Sequence, residues 1–303
     1  MTEIIGDIMK CTMCPHECNI DREKTVGRCK AKINPTVALV SLHQFEEPCI
    51  STGNGSGTVF FSGCNLSCVY CQNSDISQNL SGKEVSIERL AEIFIEQQQR
   101  GAANINLVTP SIYILQIKDA LIIAKKKGLK IPVIYNSSGY DKVESLKELE
   151  GLIDVYLPDF KYGYNELGKK YSNVKNYFDV ATKAIKEMIR QVGNPIFNDK
   201  GQIQKGVIIR HMILPNNLTS TKIVIDWIKD ELGLNTYISI MAQYFPTHKV
   251  GNKEYSEINR KITPEELEEI EQYIFALGFE NGFIQELGEH EEEYVPVFNG
   301  NNV

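Results

Sequence analysis

Cysteine is absent from the chain after Cys71, tryptophan occurs once, and no apolar run approaches the roughly 20 residues that a bilayer-crossing helix needs. The apolar stretch Val207 to Leu214 is short and already carries Arg210 and His211. No membrane span is therefore expected. An excess of positive charge is also missing: 32 Lys and Arg face 39 Asp and Glu, a net charge of −7. A phosphate backbone or an anionic membrane surface rewards a basic face, so this balance argues against nucleic acid and against membrane attachment. Met1 to Asp7 has no positive leader followed by an apolar stretch, so no signal peptide is expected. Low-complexity segments and short internal repeats are lacking too. A cytoplasmic globular protein is the expectation. Its 303 residues, 42% hydrophobic, suffice for one large α/β barrel or two ordinary domains.

What is present is concentrated. Eight cysteines, at 11, 14, 18, 29, 49, 64, 68 and 71, all lie in the first quarter. Disulfide frameworks suit small secreted chains, whereas clustered cysteines in a large cytosolic chain bind metal or do redox chemistry. Residues 1–50 read as a Cys-rich metal-binding segment. Gly53 to Gly57 is a turn-rich boundary, and residues 51–303 read as a second unit in which strands and helices alternate.

Short runs rich in Val, Ile, Tyr and Phe predict strands at Thr58–Ser62, Ile105–Val108, Pro132–Tyr135, Val155–Leu157, Val207–Leu214, Tyr237–Met241 and Gly282–Gln285. Between them lie helical patterns. One opens after Ser86 with Ile87, Leu90, Ala91, Phe94 and Gln98 on one stripe. One runs to Lys125-Lys126-Lys127 with Gly128 behind it. One opens at Thr263 with Pro264 and Glu266 and closes at Gly278. Repeated strand–helix units imply a parallel sheet with right-handed crossovers. The fold class is α/β: a full or partial (β/α) barrel of parallel strands behind a Cys-rich N-terminal segment, with an open doubly wound sheet as the alternative. In either, functional residues gather at the carboxyl ends of the strands. The acidic run Glu289 to Glu293 reads as a solvated loop.

The sharpest motif is Cys64-Asn65-Leu66-Ser67-Cys68-Val69-Tyr70-Cys71, a C-x3-C-x2-C loop directly after the first strand of the repeating pattern. Three thiolates on one tight loop can hold three irons of a cubane and leave the fourth without a protein ligand, whereas iron–sulfur clusters usually take four cysteines. A zinc loop is the plainer alternative, but zinc wants a fourth ligand nearby, and no His or Cys follows until His211.

With Tyr70 at the aromatic position, the loop resembles the signature of the radical S-adenosylmethionine superfamily, C-x3-C-x-aromatic-C. The resemblance implies a four-iron four-sulfur cluster whose open iron binds the amino and carboxylate groups of S-adenosylmethionine. It also implies one-electron cleavage to a 5′-deoxyadenosyl radical that abstracts hydrogen from a substrate. The chain is most similar to the activating-enzyme branch, in an uncharacterised subgroup similar to pyruvate formate-lyase activating enzymes. Asn104-Ile105-Asn106-Leu107-Val108-Thr109-Pro110 and Leu157-Pro158-Asp159-Phe160-Lys161-Tyr162 look like signatures of that subgroup. By this likeness Asp159 and Lys161 match an Asp-x-Lys pair near S-adenosylmethionine, Arg210 stands near the methionine carboxylate, and Asn136 and Ser137 stand near the ribose. The branch's Gly-Gly-Glu-Pro loop is absent, and Thr109 takes its place as the candidate for the methionine amine. Gln243, at the end of the sixth strand, joins this cofactor-binding set. The resemblance further implies a flavodoxin- or ferredoxin-type electron donor, and a protein or small-molecule substrate such as a glycyl-radical enzyme.

Each polar strand end also has a plain reading. Asp159 could cap a helix or form a structural ion pair with Arg210. His211 should face away from Arg210 by strand alternation. His43 stands at the barrel mouth or on the surface. Cys49 reads as a buried residue rather than a redox thiol.

Cys11, Cys14, Cys18 and Cys29 have C-x2-C-x3-C-x10-C spacing. Four thiolates suit a tetrahedral zinc or an auxiliary iron–sulfur cluster, and either would staple a segment that has little core of its own. The competing function is a non-enzymatic zinc-binding interaction protein. An RNA-binding knuckle, using Arg22, Lys24, Arg28, Lys30 and Lys32, is disfavoured by the net charge.

Overall fold

The computed structural model describes residues 10–251, 253–288, 296, 298 and 300–303; Met1 to Asp7 and the run Glu289 to Glu293 lie outside the described residues. In chain order the elements are β1 (Thr36–His43), β2 (Ser56–Phe61), α1 (Ser74–Ser77), β3 (Lys83–Glu84), α2 (Ile87–Gln99), β4 (Ile105–Val108), α3 (Ile114–Lys126), β5 (Val133–Ser137), α4 (Val143–Lys147), β6 (Val155–Pro158), α5 (Asn165–Ser172), α6 (Tyr177–Val192), β7 (Ile196–Phe197), β8 (Ile203–Met212), α7 (Leu218–Leu232), β9 (Tyr237–Met241), α8 (Pro264–Leu277) and β10 (Gly282–Ile284), with a 3-10 turn at Lys253–Ile258 before α8.

The sheet runs β10-β9-β8-β6-β5-β4-β2-β1-β3. Along that order every pairing from β2 to β10 is parallel, while β7 lies off it and pairs antiparallel with β8. Strand order never reverses, as it would at the switch point of a doubly wound sheet. The winding is a barrel's, and it is partial: β10 forms one edge, and the other carries β1 and β3, added antiparallel. All seven expected strands form. Caps set the helices as the sequence suggests. Ser86 accepts from Arg89 N at 3.1 Å, Thr263 and Glu266 close a capping box, and Gly278 ends α8 at φ +91°.

The strands β1, β3 and β7 were not expected. β1 pairs with β2, Leu39 opposite Phe60 and His43 opposite Ser56, so the sheet runs across the division at 50/51. The Val37–Val40 run carries strand propensity, but its hairpin is joined by a long loop without the short Gly-containing turn that signals one. β8 starts at Ile203, ahead of the expected Val207, because it also pairs with β7 across the turn at Asn198 to Gly201.

Side chains alternate across each strand. Outward residues such as Val59, Phe61, Leu107, Tyr156, Ile209 and Ile240 pack under the helices against Leu90, Phe94, Ile117, Ile185, Val224 and Ile270. Each such side chain taken out of water contributes roughly 1.5–3 kcal/mol. Inward residues form a separate apolar plug of Ile134, Val155, Leu157, Ile203 and Ile208 with Cys49 and Ile50. Two residues further along β5, β6 and β8 the same inner face turns polar, at Asn136, Asp159 and Arg210.

Residues 10–35 hold no helix or strand. They are fastened to the barrel by side chains: Arg22 to Ile112 O at 2.7 Å, Gln116 to Ile33 O at 2.7 Å, and Lys30 to Gln78 O at 3.0 Å. At the other terminus Gly300 N donates to Ala38 O at 3.0 Å, and the Phe298 ring stands 5.4 Å from Phe60. Among the described residues no helix is long and apolar enough to cross a membrane.

Candidate active site

The three-cysteine loop leaves the carboxyl end of β2 through Gly63, whose φ of +90° and tight surroundings exclude a side chain. A Cβ there would lie 2.8 Å from Ile112 and 3.0 Å from Cys29 O. Backbone bonds from Ser67 N to Ser172 O (3.1 Å) and Val69 N to Tyr171 O (2.8 Å) fix the loop, as does Asn65 Nδ2 to Tyr140 O at 2.6 Å. Cys64, Cys68 and Cys71 all line one cavity of about 250 Å3 at the carboxyl ends of the strands. The Cys68 Sγ lies 2.9 Å from Ser172 Oγ and the Cys71 Sγ 3.2 Å from Ser77 Oγ. Burial pushes the Cys64 thiol far up and the Cys68 thiol to about 11, with Lys161 pulling the latter back. Thiols so placed stay neutral unless a metal centre takes up their charge. Three soft donors on one loop facing one cavity suit a cubane with an open iron.

Tyr70, Thr109, Asn136, Ser137, Asp159, Lys161, Arg210 and Gln243 line the same cavity. Arg210 Nε donates to Asp159 Oδ1 at 2.9 Å, its Nη2 to Asn136 Oδ1 at 2.6 Å, and Lys161 Nζ to Asp159 Oδ2 at 2.7 Å. Burial alone would raise the Asp159 carboxyl, but Arg210 and Lys161 outweigh it and hold it below its ordinary value. The Asp159–Arg210 ion pair therefore exists, and both partners face the cavity. Tyr70 OH bonds Tyr162 OH at 2.7 Å, which bonds Ser172 Oγ at 2.7 Å. Gln243 Oε1 accepts from Gln285 at 3.1 Å.

Thr109 sits at φ +60°. A β-branched residue in the left-handed region is strained by roughly 1–3 kcal/mol, and such strain collects at functional sites. Ser137 is tied up: its hydroxyl donates to Asp141 at 2.6 Å and accepts from Gly139 N. The neighbouring Ser138 Oγ lines the cavity, is buried, and has no hydrogen-bond partner. Glu46 is another group that sequence reasoning missed. It follows β1, accepts from Asn106 Nδ2 at 2.9 Å, and faces Arg210 at 3.4 Å. Burial raises its carboxyl despite Arg210. No spacing rule links a loop residue to a charge on a strand so far along the chain; the adjacent acidic pair Glu46-Glu47 was the only signal. His43 also lines the cavity, its ring edge-on to Phe45 and Phe60.

His211 points outward from β8, as alternation requires. Its Nδ1 lies 2.6 Å from Phe160 O, which can only accept, so Nδ1 carries the proton and Nε2 accepts from Thr221 Oγ1 at 2.9 Å. Burial holds its pKa down at about 4. Below pH 6.5 the unfolded chain takes a proton that the folded one refuses, so stability falls as pH drops toward 4. We expect this to cost about 3 kcal/mol. Urea unfolding of His211→Gln should show a smaller loss between pH 6.5 and 4; equal losses would refute the assignment.

Cys11, Cys14, Cys18 and Cys29 line a second, small cavity of about 10 Å3 with Met13, Ile20 and Ile112. Burial pushes Cys14 up to about 12 and raises Cys29. All eight cysteines are free thiols. Among the described residues no three His, Cys, Asp or Glu side chains are drawn together tightly enough to grip one metal ion, and this holds for both cysteine sets. Cys49 lies apart, in the apolar plug.

Comparison with known proteins bears on this site. Residues 58–199 match the model of the radical SAM superfamily. An uncharacterised protein of Methanocaldococcus jannaschii is 37% identical over 88% of this chain and 75% of its own length. The pyruvate formate-lyase 1-activating enzyme of Escherichia coli strain K12 is 30% identical over 52% of this chain and 69% of its own. Among solved structures, Streptococcus suis SuiB bound to its precursor peptide SuiA superposes with a TM-score of 0.52 at 14% identity, covering 76% of this chain and 48% of that one. That likeness bears on the fold alone, and this chain spans about half the length of that structure.

Proposed function

Because the chain belongs to the radical S-adenosylmethionine superfamily, we propose that it cleaves S-adenosylmethionine at a four-iron four-sulfur cluster held by Cys64, Cys68 and Cys71. The observation that carries this reading is that the three thiols and the buried Asp159–Lys161–Arg210 network line one cavity. When bound, the cluster and S-adenosylmethionine supply the chemistry: one-electron cleavage to a 5′-deoxyadenosyl radical that abstracts hydrogen.

The chain's own residues supply position and shielding. Arg210, fixed by Asp159 and Asn136, offers its remaining donors to the methionine carboxylate. Lys161 brings a positive charge toward Cys68. Asn136 and Ser138 are the ribose candidates, since the Ser137 hydroxyl is occupied by Asp141. Gln243 is the group for a purine edge. Phe60, Phe61 and Tyr70 wall the cavity and exclude water. A flavodoxin- or ferredoxin-type donor provides the electron, and a reducing cytoplasmic setting keeps the thiols free. The activating-enzyme relatives favour a protein substrate, the backbone glycine of a glycyl-radical enzyme. The Cys11–Cys29 cavity is a second metal site in this reading.

Thr109 takes the methionine amine. Thr109→Gly relieves the left-handed strain, so its melting temperature should hold or rise while the KM for S-adenosylmethionine rises about tenfold, equivalent to roughly 1.4 kcal/mol. An unchanged KM would remove Thr109 from the site.

The deciding experiment is 5′-deoxyadenosine production by the protein purified without oxygen, reconstituted with iron and sulfide, and reduced with dithionite. Product supports the reading. A chain that takes up no iron, and holds zinc instead, would overturn it in favour of a zinc-bound scaffold.

A further inference from the structure

The three thiols of the loop do not have equal neighbours. Cys68 Sγ lies 2.9 Å from Ser172 Oγ, whereas Cys71 Sγ lies 3.2 Å from Ser77 Oγ and Cys64 Sγ 3.4 Å from the amide of Leu66. Ser172 is also backed by further hydroxyls. Its Oγ is 2.7 Å from Tyr162 OH, and Tyr162 OH is 2.7 Å from Tyr70 OH. Three hydroxyls thus stand in series between the cavity wall at Tyr70 and the sulfur of Cys68.

Local sequence builds the series. Ser172 ends α5, where Asn173 takes a left-handed φ of +57° and its N–H bonds Gly168 O. The same turn gives Ser172 O to Ser67 N and Tyr171 O to Val69 N, so the serine is tied to the loop by backbone as well. Tyr162 follows Lys161 beyond β6; Lys161 faces Asp159 and the cavity, and Tyr162 faces the loop. Tyr162 and Ser172 are fully buried, and Tyr70 nearly so. The rings of Tyr171, Tyr177 and Tyr244 surround the two tyrosines at 5.0 to 6.4 Å. In so dry a shell hydrogen bonds polarise one another, by roughly 10–30% per bond.

Bonding capacity sets the direction. A metal-bound thiolate has no proton to give, so Ser172 must donate to Cys68 Sγ. Its single proton is then spent, so Ser172 accepts from Tyr162, and Tyr162 in turn accepts from Tyr70. All three O–H groups point toward one sulfur. Hydrogen bonds to the sulfurs help set a cluster's reduction potential. A donor favours the reduced cluster, because its sulfurs carry more negative charge.

We propose that Ser172, supported by Tyr162 and Tyr70, raises the reduction potential of the loop cluster by donating to Cys68. This rests on the reading of that loop given above. Ser172 touches a cluster ligand and no reacting atom, so it tunes the centre rather than catalysing. The step it eases is the transfer of one electron to the cluster from a reduced flavodoxin- or ferredoxin-type protein. No bond is made or broken.

A redox titration followed by electron paramagnetic resonance, on the full chain reconstituted without oxygen, tests the proposal. At a fixed solution potential the reduced-to-oxidised ratio of the cluster should fall about tenfold in Ser172→Ala, a shift of about 59 mV to more negative potential for one electron. Tyr162→Phe keeps the serine but removes its support, so the ratio should fall in the same direction by about twofold. Ser172→Thr retains a hydroxyl and should restore the parent's ratio. In deuterated water, electron–nuclear double resonance of the reduced parent should show an exchangeable deuteron coupled to the cluster that Ser172→Ala lacks. A merely structural serine would change iron content without moving the midpoint. An unchanged midpoint in iron-replete Ser172→Ala overturns the proposal and leaves the loop reading intact. So does a Ser172→Thr midpoint as low as that of Ser172→Ala, which would trace the shift to packing. If Ser172→Ala holds no iron, Tyr162→Phe, which removes a single oxygen atom, decides by the sign of its shift. A parent chain that forms no reducible cluster overturns the loop reading, and this proposal with it.

Discussion

A Cys71→Ala chain, reconstituted with iron and sulfide, should make 5′-deoxyadenosine at least about a thousandfold more slowly than the parent, a barrier increase of roughly 4 kcal/mol. Only three thiols on the loop face the cavity, so losing one leaves a cubane two protein ligands. The nearest oxygen, Ser77 Oγ at 3.2 Å from the sulfur, is a hydroxyl and a poor substitute for a soft thiolate. The loop itself should survive, because its backbone is held by Tyr171, Ser172 and Tyr140 rather than by the sulfurs. Cys49→Ala is the matched control. Cys49 is 5% exposed in the apolar plug, away from the cavity. Its loss should cost about 1 kcal/mol of stability and leave iron content and product intact. Comparable product from Cys71→Ala and the parent would remove the loop from the chemistry.

Arg210→Met should lower the melting temperature by on the order of 10 °C near neutral pH, since stripping one partner from a buried charge network costs roughly 3–5 kcal/mol. Arg210 faces both Asp159 and Glu46. Asp159 keeps Lys161, but Glu46 keeps only Asn106. The loss should therefore depend on pH. Burial already raises the Glu46 carboxyl, and removing Arg210 raises it further. A carboxyl with a raised pKa stabilises the fold most when protonated, so the deficit should shrink as pH falls through that range and be full above it. Scanning calorimetry of both proteins at a series of pH values from neutral downward checks this. A pH-independent deficit would mean that the introduced methionine side chain merely packs badly. Cofactor affinity should fall alongside, because the guanidinium donors go with the charge.

Much of this was legible because burial leaves a simple pattern. Seven apolar runs became seven parallel strands, since strands covered on both faces need no alternation to be recognised. Within β8, alternation alone put Arg210 and His211 on opposite faces. The Cys-x3-Cys-x2-Cys loop was legible by spacing, and the cavity gathers it with the candidate residues singled out from the sequence. What escaped was long-range. β1 hid behind a long connection, so nothing local marked its pairing with β2. Glu46 meets Arg210 only because β1 joins the sheet. Ser138 was overshadowed by Ser137, and which of two adjacent serines is spoken for depends on Asp141, whose side chain turns back onto β5. The αL geometry of Thr109 could not be read from a Val-Thr-Pro string, where the following proline argues for extended backbone.

The separation of the inner and outer apolar clusters has a consequence for change. The larger apolar cluster fills the shell between strands and helices, where Leu107, Tyr156 and Ile209 pack. The lumen is sealed at its base by its own plug. Val108, Met212 and Met241 line the cavity while only half-buried. Their replacement alters the shape of the vessel without touching its walls. Substitutions at those three positions therefore change the cavity while leaving the thiol loop and the Asp159–Lys161–Arg210 network in sequence as they are.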